Sequence, residues 1–349
     1  MTGGNRAFCK KRGCLFGCPA TVCCYVSIPA PIRFVPLLLA VIGPTAQLVA
    51  QNRELLGELK IGMIGRDLSN PAYQAAHKGA LDAAQVLSKR YSIDVEVRVL
   101  TPKLADGQTQ SSALGQLLIE GADGLAISPE VDKEVDESIR FAVEEGQKVV
   151  VFESLRPMDS ALAQVVADER AAGRQAGEAI LPRLPTRGRV AVLTSTNPTE
   201  AEKARLDGLR NALGYKRIER IVSCEPDYKS AIEAIRQAEE EDRNHLIKGW
   251  VFIDDWPLRG TPALPWAAGK LPCVAIQSTP AAFIYLDSGY LSAFIAHPFY
   301  EWGYRSIETL VQTLFLDRPP EEPNLVLGTR VINWDNAEQY RREWQEWIN

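Results

Sequence analysis

From residue 58 onward, short apolar runs alternate with stretches whose apolar residues recur at helical spacing. Ile61, Met63 and Ile64, set among Gly62 and Gly65, form a run suited to a covered parallel strand. Ser69 or Asn70 is placed to cap a helix, and Pro71 fits its first position. Ala76, Ala80, Ala83 and Leu87 then fall on one narrow helical face. The pattern continues with a strand over 95–100 and a helix over 106–120 carrying Leu114, Leu117 and Leu118 and stopped by Gly121. A third strand is predicted over 124–129. Val131, Val135, Ile139 and Ala142 mark the next helix, and a fourth strand covers 148–152.

A second series repeats the scheme. Strands are predicted over 189–194, 218–223, 250–253 and 273–276, with helices over about 200–213 and around Ala231, Ile235 and Ala238. Two last helices, over 302–314 and 337–347, should close the first and second units respectively. Strands alternating with helices imply parallel pairing and right-handed crossovers, hence an α/β chain of two doubly wound parallel sheets. The turns at the carboxyl ends of such strands are where open α/β sheets bind ligands. Tyr73 sits beside the first of those turns.

The chain has 349 residues, 46% hydrophobic and 24% charged, which is globular composition long enough for two domains. A formal charge of −5 and the lack of a dense basic stripe disfavour a nucleic-acid partner. Only His77, His245 and His297 are available as histidine ligands, and no metal or other cofactor is expected. Five of the seven cysteines, Cys9, Cys14, Cys18, Cys23 and Cys24, lie at the front without a CxxC pair or a nearby histidine. They read as part of a leader, with the working start after them.

Arg33, about ten apolar residues and a small-residue exit then describe a secretory signal over 33–50, removed after Ala46 or Ala50. Residues 1–50 are therefore expected to be a leader, and the remaining chain a soluble periplasmic protein. Cys224 and Cys273 would then lie in a compartment that permits disulfides. Two intervening strands about 4.8 Å apart keep them out of bridging range, so both should be free.

Catalytic patterns are missing. No Gly-x-Ser-x-Gly elbow occurs, residues 260–270 fail the phosphate-loop spacing, and the first turn lacks Gly-x-Gly-x-x-Gly. Asp254 and Asp255 resemble a catalytic acid pair, but adjacent residues at a strand end point to opposite faces and should not serve one site. The chain is expected not to be an enzyme.

Residues 70–73 (Asn-Pro-Ala-Tyr) followed by residues 78–84 (Lys-Gly-Ala-Leu-Asp-Ala-Ala) resemble the opening of periplasmic sugar-binding proteins of the ribose-binding type. Those share their receptor fold with lac-repressor-type regulators. The resemblance covers roughly residues 58–345 and implies the type I periplasmic binding protein fold, two lobes joined by a three-strand hinge. Crossings are placed near Asp168, His297 and Gly328. The implied N-terminal lobe is 58–167 plus 298–328, and the C-terminal lobe 168–297 plus 329–349.

The resemblance further implies a binding set. Asn70 and Tyr73 match its first-loop positions, and Glu153 its acid after the fourth strand. Arg205 matches its ligand-holding arginine, Asp254 its asparagine, Gln277 its aspartate and His297 its glutamine. Trp256 is added as a stacking wall at the mouth, because Ala72 stands where an aromatic is common. Ser154 stands where an arginine is frequent, and Arg156 is the nearest substitute. Rigid polar groups with an aromatic face suit a sugar or polyol held in a closed cleft.

Each residue has a plainer reading. Asn70 can be only a cap, Tyr73 a packing residue, and Glu153 a solvated loop acid. Arg205 can pair with Glu200 or Asp207 on its helix surface, Asp254 can end a strand, and His297 can mark only a crossover. Trp250, Trp256 and Trp266 are core, rim or stacking candidates. The expected function is capture of a small polar ligand, most simply a monosaccharide, by a monomer that delivers it to an ABC-type importer in the membrane. The alternatives are a sugar sensor feeding a membrane histidine kinase, or a regulator's effector domain. The last would need a helix-turn-helix where residues 34–50 are apolar.

Overall fold

The computed structural model describes residues 55–103, 106–260 and 264–348. The five cysteines expected to belong to a leader and the expected secretory signal over 33–50 lie outside the described residues.

The first half of the chain runs β1 (Glu58–Ile64), α1 (Pro71–Tyr91), β2 (Asp94–Val99), α2 (Gln110–Ile119), β3 (Gly124–Ile127), α3 (Lys133–Glu144), β4 (Lys148–Phe152) and β5 (Ala163–Ala167). The second runs α4 (Glu169–Ile180), β6 (Arg189–Ser195), α5 (Glu200–Leu213), β7 (Ile218–Cys224), α6 (Tyr228–Glu241), β8 (Ile247–Phe252), β9 (Cys273–Ile276), α7 (Ala281–Asp287) and β10 (Ala293–Ala296). The last elements are α8 (Phe299–Leu316), β11 (Asn324–Leu327), β12 (Arg330–Ile332) and α9 (Ala337–Ile348).

Two six-stranded sheets result, ordered β11–β5–β4–β3–β1–β2 and β12–β10–β9–β8–β6–β7. Every recorded pairing is parallel except β12 against β10. The orders correspond strand for strand, so the fold is two doubly wound α/β lobes. The chain passes between the sheets after β5, after β10 and between β11 and β12.

Pleat alternation divides each core. In the first sheet Leu125, Ile127, Val149 and Val151 face Leu114, Leu117, Val135 and Ile139 of α2 and α3. Ile61, Met63, Ala126, Val150 and Phe152 face the opposite way, toward α1 and α8. Side chains on both faces are buried, which explains the continuous apolar runs of these strands.

Caps set several boundaries more tightly than periodicity did. Thr109 accepts from Ser112 N, so α2 starts at Gln110 and not at 106. Asp132 caps α3 in the same way, and Asn70 caps α1 by accepting from Ala72 N at 3.0 Å.

The matching helix pairs α1/α8 and α4/α5 cross almost backbone to backbone. A Cβ at Gly79 would lie 2.0 Å from Tyr300 O, and one at Gly303 1.7 Å from Ala76 O. In the second lobe a Cβ at Gly208 would lie 2.0 Å from Arg170 O, and one at Gly173 1.8 Å from Arg205 O. The backbones cannot yield, so these four positions admit only glycine.

The last helix departs from expectation. Instead of closing the second lobe alone, α9 spans both. Tyr340 packs on Phe283 and Phe294 of the second lobe, while Trp344 packs on Phe299 and Trp347 stacks on Tyr300 of α8. Its aromatic residues lie at i, i+4 and i+7, and that wide face reaches both neighbours.

Gly303→Ala should destabilise the protein by about 1–3 kcal/mol or more, as overpacking against backbone does. Gly115→Ala in α2, where the new methyl meets nothing within 4 Å, should be neutral or stabilising by up to about 1 kcal/mol. Urea unfolding of both variants checks this; equal effects would contradict the packing.

Candidate functional site

The carboxyl ends of the two sheets bring most of the expected residues into one polar network. Glu153 follows β4 and Gln277 follows β9, the corresponding strands of the two sheets. Both are non-glycine residues in the left-handed region, at φ 69° and 57°. Such backbone costs on the order of 1–3 kcal/mol per residue and persists only where surroundings hold it. Here the two side chains meet: Gln277 Nε2 donates to Glu153 Oε1 at 3.2 Å, joining the lobes directly.

Glu153 Oε2 accepts from Tyr73 OH at 2.8 Å and from Ser128 Oγ at 2.6 Å. The Tyr73 ring lies over Gly65, where a Cβ would come within 2.7 Å of it. Burial, then the charge of Glu153, pushes the Tyr73 phenol well above its ordinary pKa, so the hydroxyl stays a donor. Gln110 fixes the floor beneath: its Nε2 donates to Gly65 O at 2.9 Å and Ser128 O at 2.8 Å, and its Oε1 accepts from Glu130 N at 2.8 Å.

Arg205 is the hub of the other lobe and is only 2% exposed. Its Nε donates to Glu169 Oε2 at 2.6 Å. One terminal nitrogen donates to Ile253 O at 3.1 Å and Asp254 Oδ2 at 2.9 Å, and the other donates to Gln277 Oε1. It pairs with neither Glu200 nor Asp207. His297 Nε2 lies 2.9 Å from Glu169 Oε2, so His297 reaches the network through Glu169. Burial would raise the Glu169 carboxyl, but Arg205 and His297 more than offset it and hold it at about 2.

Asp254 and Asp255 converge, contrary to the alternation expected of neighbours on a strand. β8 ends at Phe252, and the chain then turns into the 3₁₀ segment Trp256–Leu258, so the pleat no longer applies. Arg259 reaches both, with Nε at 2.8 Å from Asp255 Oδ1 and a terminal nitrogen at 3.4 Å from Asp254 Oδ1. Asp255 also accepts from Thr279 N at 3.0 Å and Thr279 Oγ1 at 2.9 Å. Burial pushes Asp254 up to about 7 despite Arg205, with Asp255 adding to the rise.

The remaining candidates sit apart from this convergence. The Asn70 side-chain oxygen serves as a helix cap. Trp256 is buried in the apolar core cluster, as are Trp250 and Trp266, which stack on each other. Arg156 is held by Asp136 and Glu130 O and does not replace the arginine missing at Ser154. Cys224 and Cys273 are free and buried, as strand order requires.

Pattern reading missed Arg66, Gln110, Ser128, Glu169 and Arg259. Arg66 follows the turn after the first strand; Glu169 opens a helix whose buried face is mostly alanine and glycine and offers few large apolar residues to read. Among the described residues, no group of three or more His, Cys, Asp or Glu side chains is placed to hold a metal ion. No helix among them is long and apolar enough to cross a membrane. An open cavity of about 540 Å³, lined by Leu155, Met158, Gln164, Val166, Pro323 and Val326 among others, lies along β5 and β11, away from these groups.

The family described as periplasmic binding protein domain matches residues 61–315. A xylose/arabinose-binding protein of Sulfolobus acidocaldarius is 22% identical over 302 residues, covering 80% of this chain and 72% of that protein. The crystal structure of a periplasmic ribose ABC transporter from Conexibacter woesei superposes with a TM-score of 0.71 at 19% identity, covering 84% of this chain and 99% of that one. An arabinose-binding protein from Geobacillus stearothermophilus gives 0.68 at 20% identity, covering 81% and 99%. At these identities the structural matches bear on fold.

The Asp254 shift has a definite sign. Its folded pKa lies above its unfolded value of 3.8, so its contribution is fully present below that pH and declines as pH rises through about 7. Melting temperature measured from pH 4 to 7 should carry this downward component, and Asp254→Asn should remove it. Identical slopes in both proteins would contradict the assignment.

Proposed function

The chain belongs to the periplasmic binding protein domain family, and from that premise we propose that it is a periplasmic receptor for a monosaccharide or similar polyol, held between its two lobes. The observation that carries this reading is the meeting of Glu153 and Gln277, with Tyr73 and Ser128 on one side and Arg205 and Asp254 on the other. A sugar hydroxyl donates and accepts as the Gln277 amide does, so a ring entering between the lobes exchanges one polar contact for several. Tyr73, Glu153, Asp254 and Gln277 are the proposed contacts, with Arg205 and His297 positioning them.

Contacts from both lobes form together only when the lobes are closed, so ligand favours the closed state by its differential affinity. The three interlobe crossings supply the hinge, and α9 braces its outer side through Tyr340, Trp344 and Trp347. The ligand-loaded closed form is the species handed to an ABC-type importer. The site is read as a binder: the acids Glu153, Glu169, Asp254 and Asp255 are each held by protein donors, as fixed acceptors are.

A thermal-shift panel of pentoses, hexoses, polyols and nucleosides tests the reading. A true ligand at a hundredfold excess over its Kd should stabilise the protein by about 2.7 kcal/mol, seen as a rise in melting temperature. Asp254→Ala should lose that rise. A panel with no shift at millimolar ligand would contradict the proposal.

A further inference from the structure

Arg259 ties together two neighbouring acids that an extended strand would hold apart. Beyond β8 the chain folds into a tight turn, with Leu258 N donating to Asp255 O at 2.8 Å and Arg259 N to Trp256 O at 3.2 Å. Trp256 and Leu258 are buried and anchor that turn in the core. The reversal carries residue 259 back over residues 254 and 255. Arg259 Nε then lies 2.8 Å from Asp255 Oδ1 and a terminal nitrogen 3.4 Å from Asp254 Oδ1, while the side chain stays 44% exposed.

The two acids differ in what else holds them. Asp255 is fixed independently by Thr279 N and Thr279 Oγ1, with no exposed side-chain surface. Asp254 Oδ2 accepts from Arg205, and its Oδ1 accepts from Asp255 N at 2.8 Å and from Arg259. The charged groups facing Asp254 are Arg205 of α5 with Glu169 of α4 behind it, Asp255 and Arg259 of its own turn, and Arg66 of the first lobe. Gln277 after β9 adds a neutral amide through Arg205, and Tyr73 of the first lobe faces Arg259. Burial, opposed by Arg205 and Arg259 and reinforced by Asp255, leaves the Asp254 carboxyl at about 7. Arg205 is committed to Glu169 deep in the lobe, so Arg259 is the half-exposed charge that tips this balance.

We propose that Arg259 is a positioning residue: by bridging Asp254 and Asp255 it keeps Asp254 a charged acceptor for a ligand hydroxyl, and so sets the pH range over which the receptor binds. This rests on the receptor reading above. Arg259 acts through Asp254 and has no need to touch the ligand. A charged acceptor makes the stronger hydrogen bond. Without Arg259, two adjacent carboxyls would share one cation, and the like charge of Asp255 would make Asp254 keep its proton to higher pH.

The test is titration calorimetry of the full chain with D-ribose, L-arabinose, D-xylose and D-galactose at pH values on either side of 7, using variants first checked for cooperative melting. For the tightest-binding sugar, affinity should rise with pH through about 7 in the unaltered protein. In Arg259→Met that rise should move up by about one pH unit. The ionised fraction of Asp254 at neutral pH then falls from about a half to about a tenth, weakening binding about fivefold, with recovery at higher pH. Arg259→Lys, which keeps the charge, should restore the original midpoint, and Asp254→Asn should bind without the rise. Isotopic labelling of the aspartate carboxyls follows the same titration by NMR without ligand. The Asp254 signal, assigned by its loss in Asp254→Asn, should show the same displacement in Arg259→Met.

Binding weakened equally at every pH in Arg259→Met would reduce Arg259 to a packing contact and overturn the proposal. An unaltered midpoint in that variant would overturn it as well. If none of the four sugars binds while the carboxyl titration is displaced, the receptor reading falls and the coupling of Arg259 to Asp254 stands. If a sugar binds and the titration is not displaced, the receptor reading stands and the role of Arg259 falls.

Discussion

The site depends on one guanidinium taken out of water. Arg205 is buried where an unpaired charge would be strongly destabilising, so each side of its fork must meet an acceptor. Glu169 comes from the start of α4, Ile253 O and Asp254 from the end of β8, and Gln277 from the end of β9. Three separate chain segments are thereby fixed to one planar group. Gln277, held by Arg205, points its amide at Glu153, so the electrostatics of one lobe orient the contact with the other.

The glycine crossings make this possible. α4 and α5 approach so closely at Gly173 and Gly208 that Arg205 and Glu169 are brought together below the strand ends. The same crossing of α1 and α8 puts Ala76 where the second lobe has Arg205, and Phe299 where it has Glu169. One backbone device thus carries two chemistries. The second lobe uses it for an ion network, and the first for an aromatic cluster of Phe299, Trp302 and Trp344 that continues into α9. Polar groups converge from both lobes, and the second rests its share on the buried Arg205–Glu169 pair.

Much of the architecture was legible because strands covered on both faces must be apolar, as residues 61–64 and 149–152 are. Elements lacking that contrast escaped. α4 is rich in alanine, glycine and charge, and β5, β10, β11 and β12 are short pieces at the crossings. Tyr73, Glu153, Asp254 and Gln277 sit at strand ends or a helix start, and Arg205 in the second turn of α5, so a resembling order singles them out as candidates. Their partners could not. That Arg205 faces Glu169 is a contact between two helices, and that Asp254 and Asp255 share Arg259 depends on where β8 stops. Trp256 was placed at a mouth from its position after a strand, yet its indole is drawn into the core, since a large apolar ring gains more from burial than from standing in water.

The central proposal is that both lobes close on one small polar molecule held by groups at the carboxyl ends of their strands. A crystal structure of the protein soaked or grown with the tightest-binding monosaccharide tests it most directly. The proposal predicts ring density between Tyr73 and Glu153 on one side and Asp254 and Gln277 on the other, with the sugar displacing the Glu153–Gln277 bond. Density confined to the cavity along β5 and β11, with that bond intact, would contradict it.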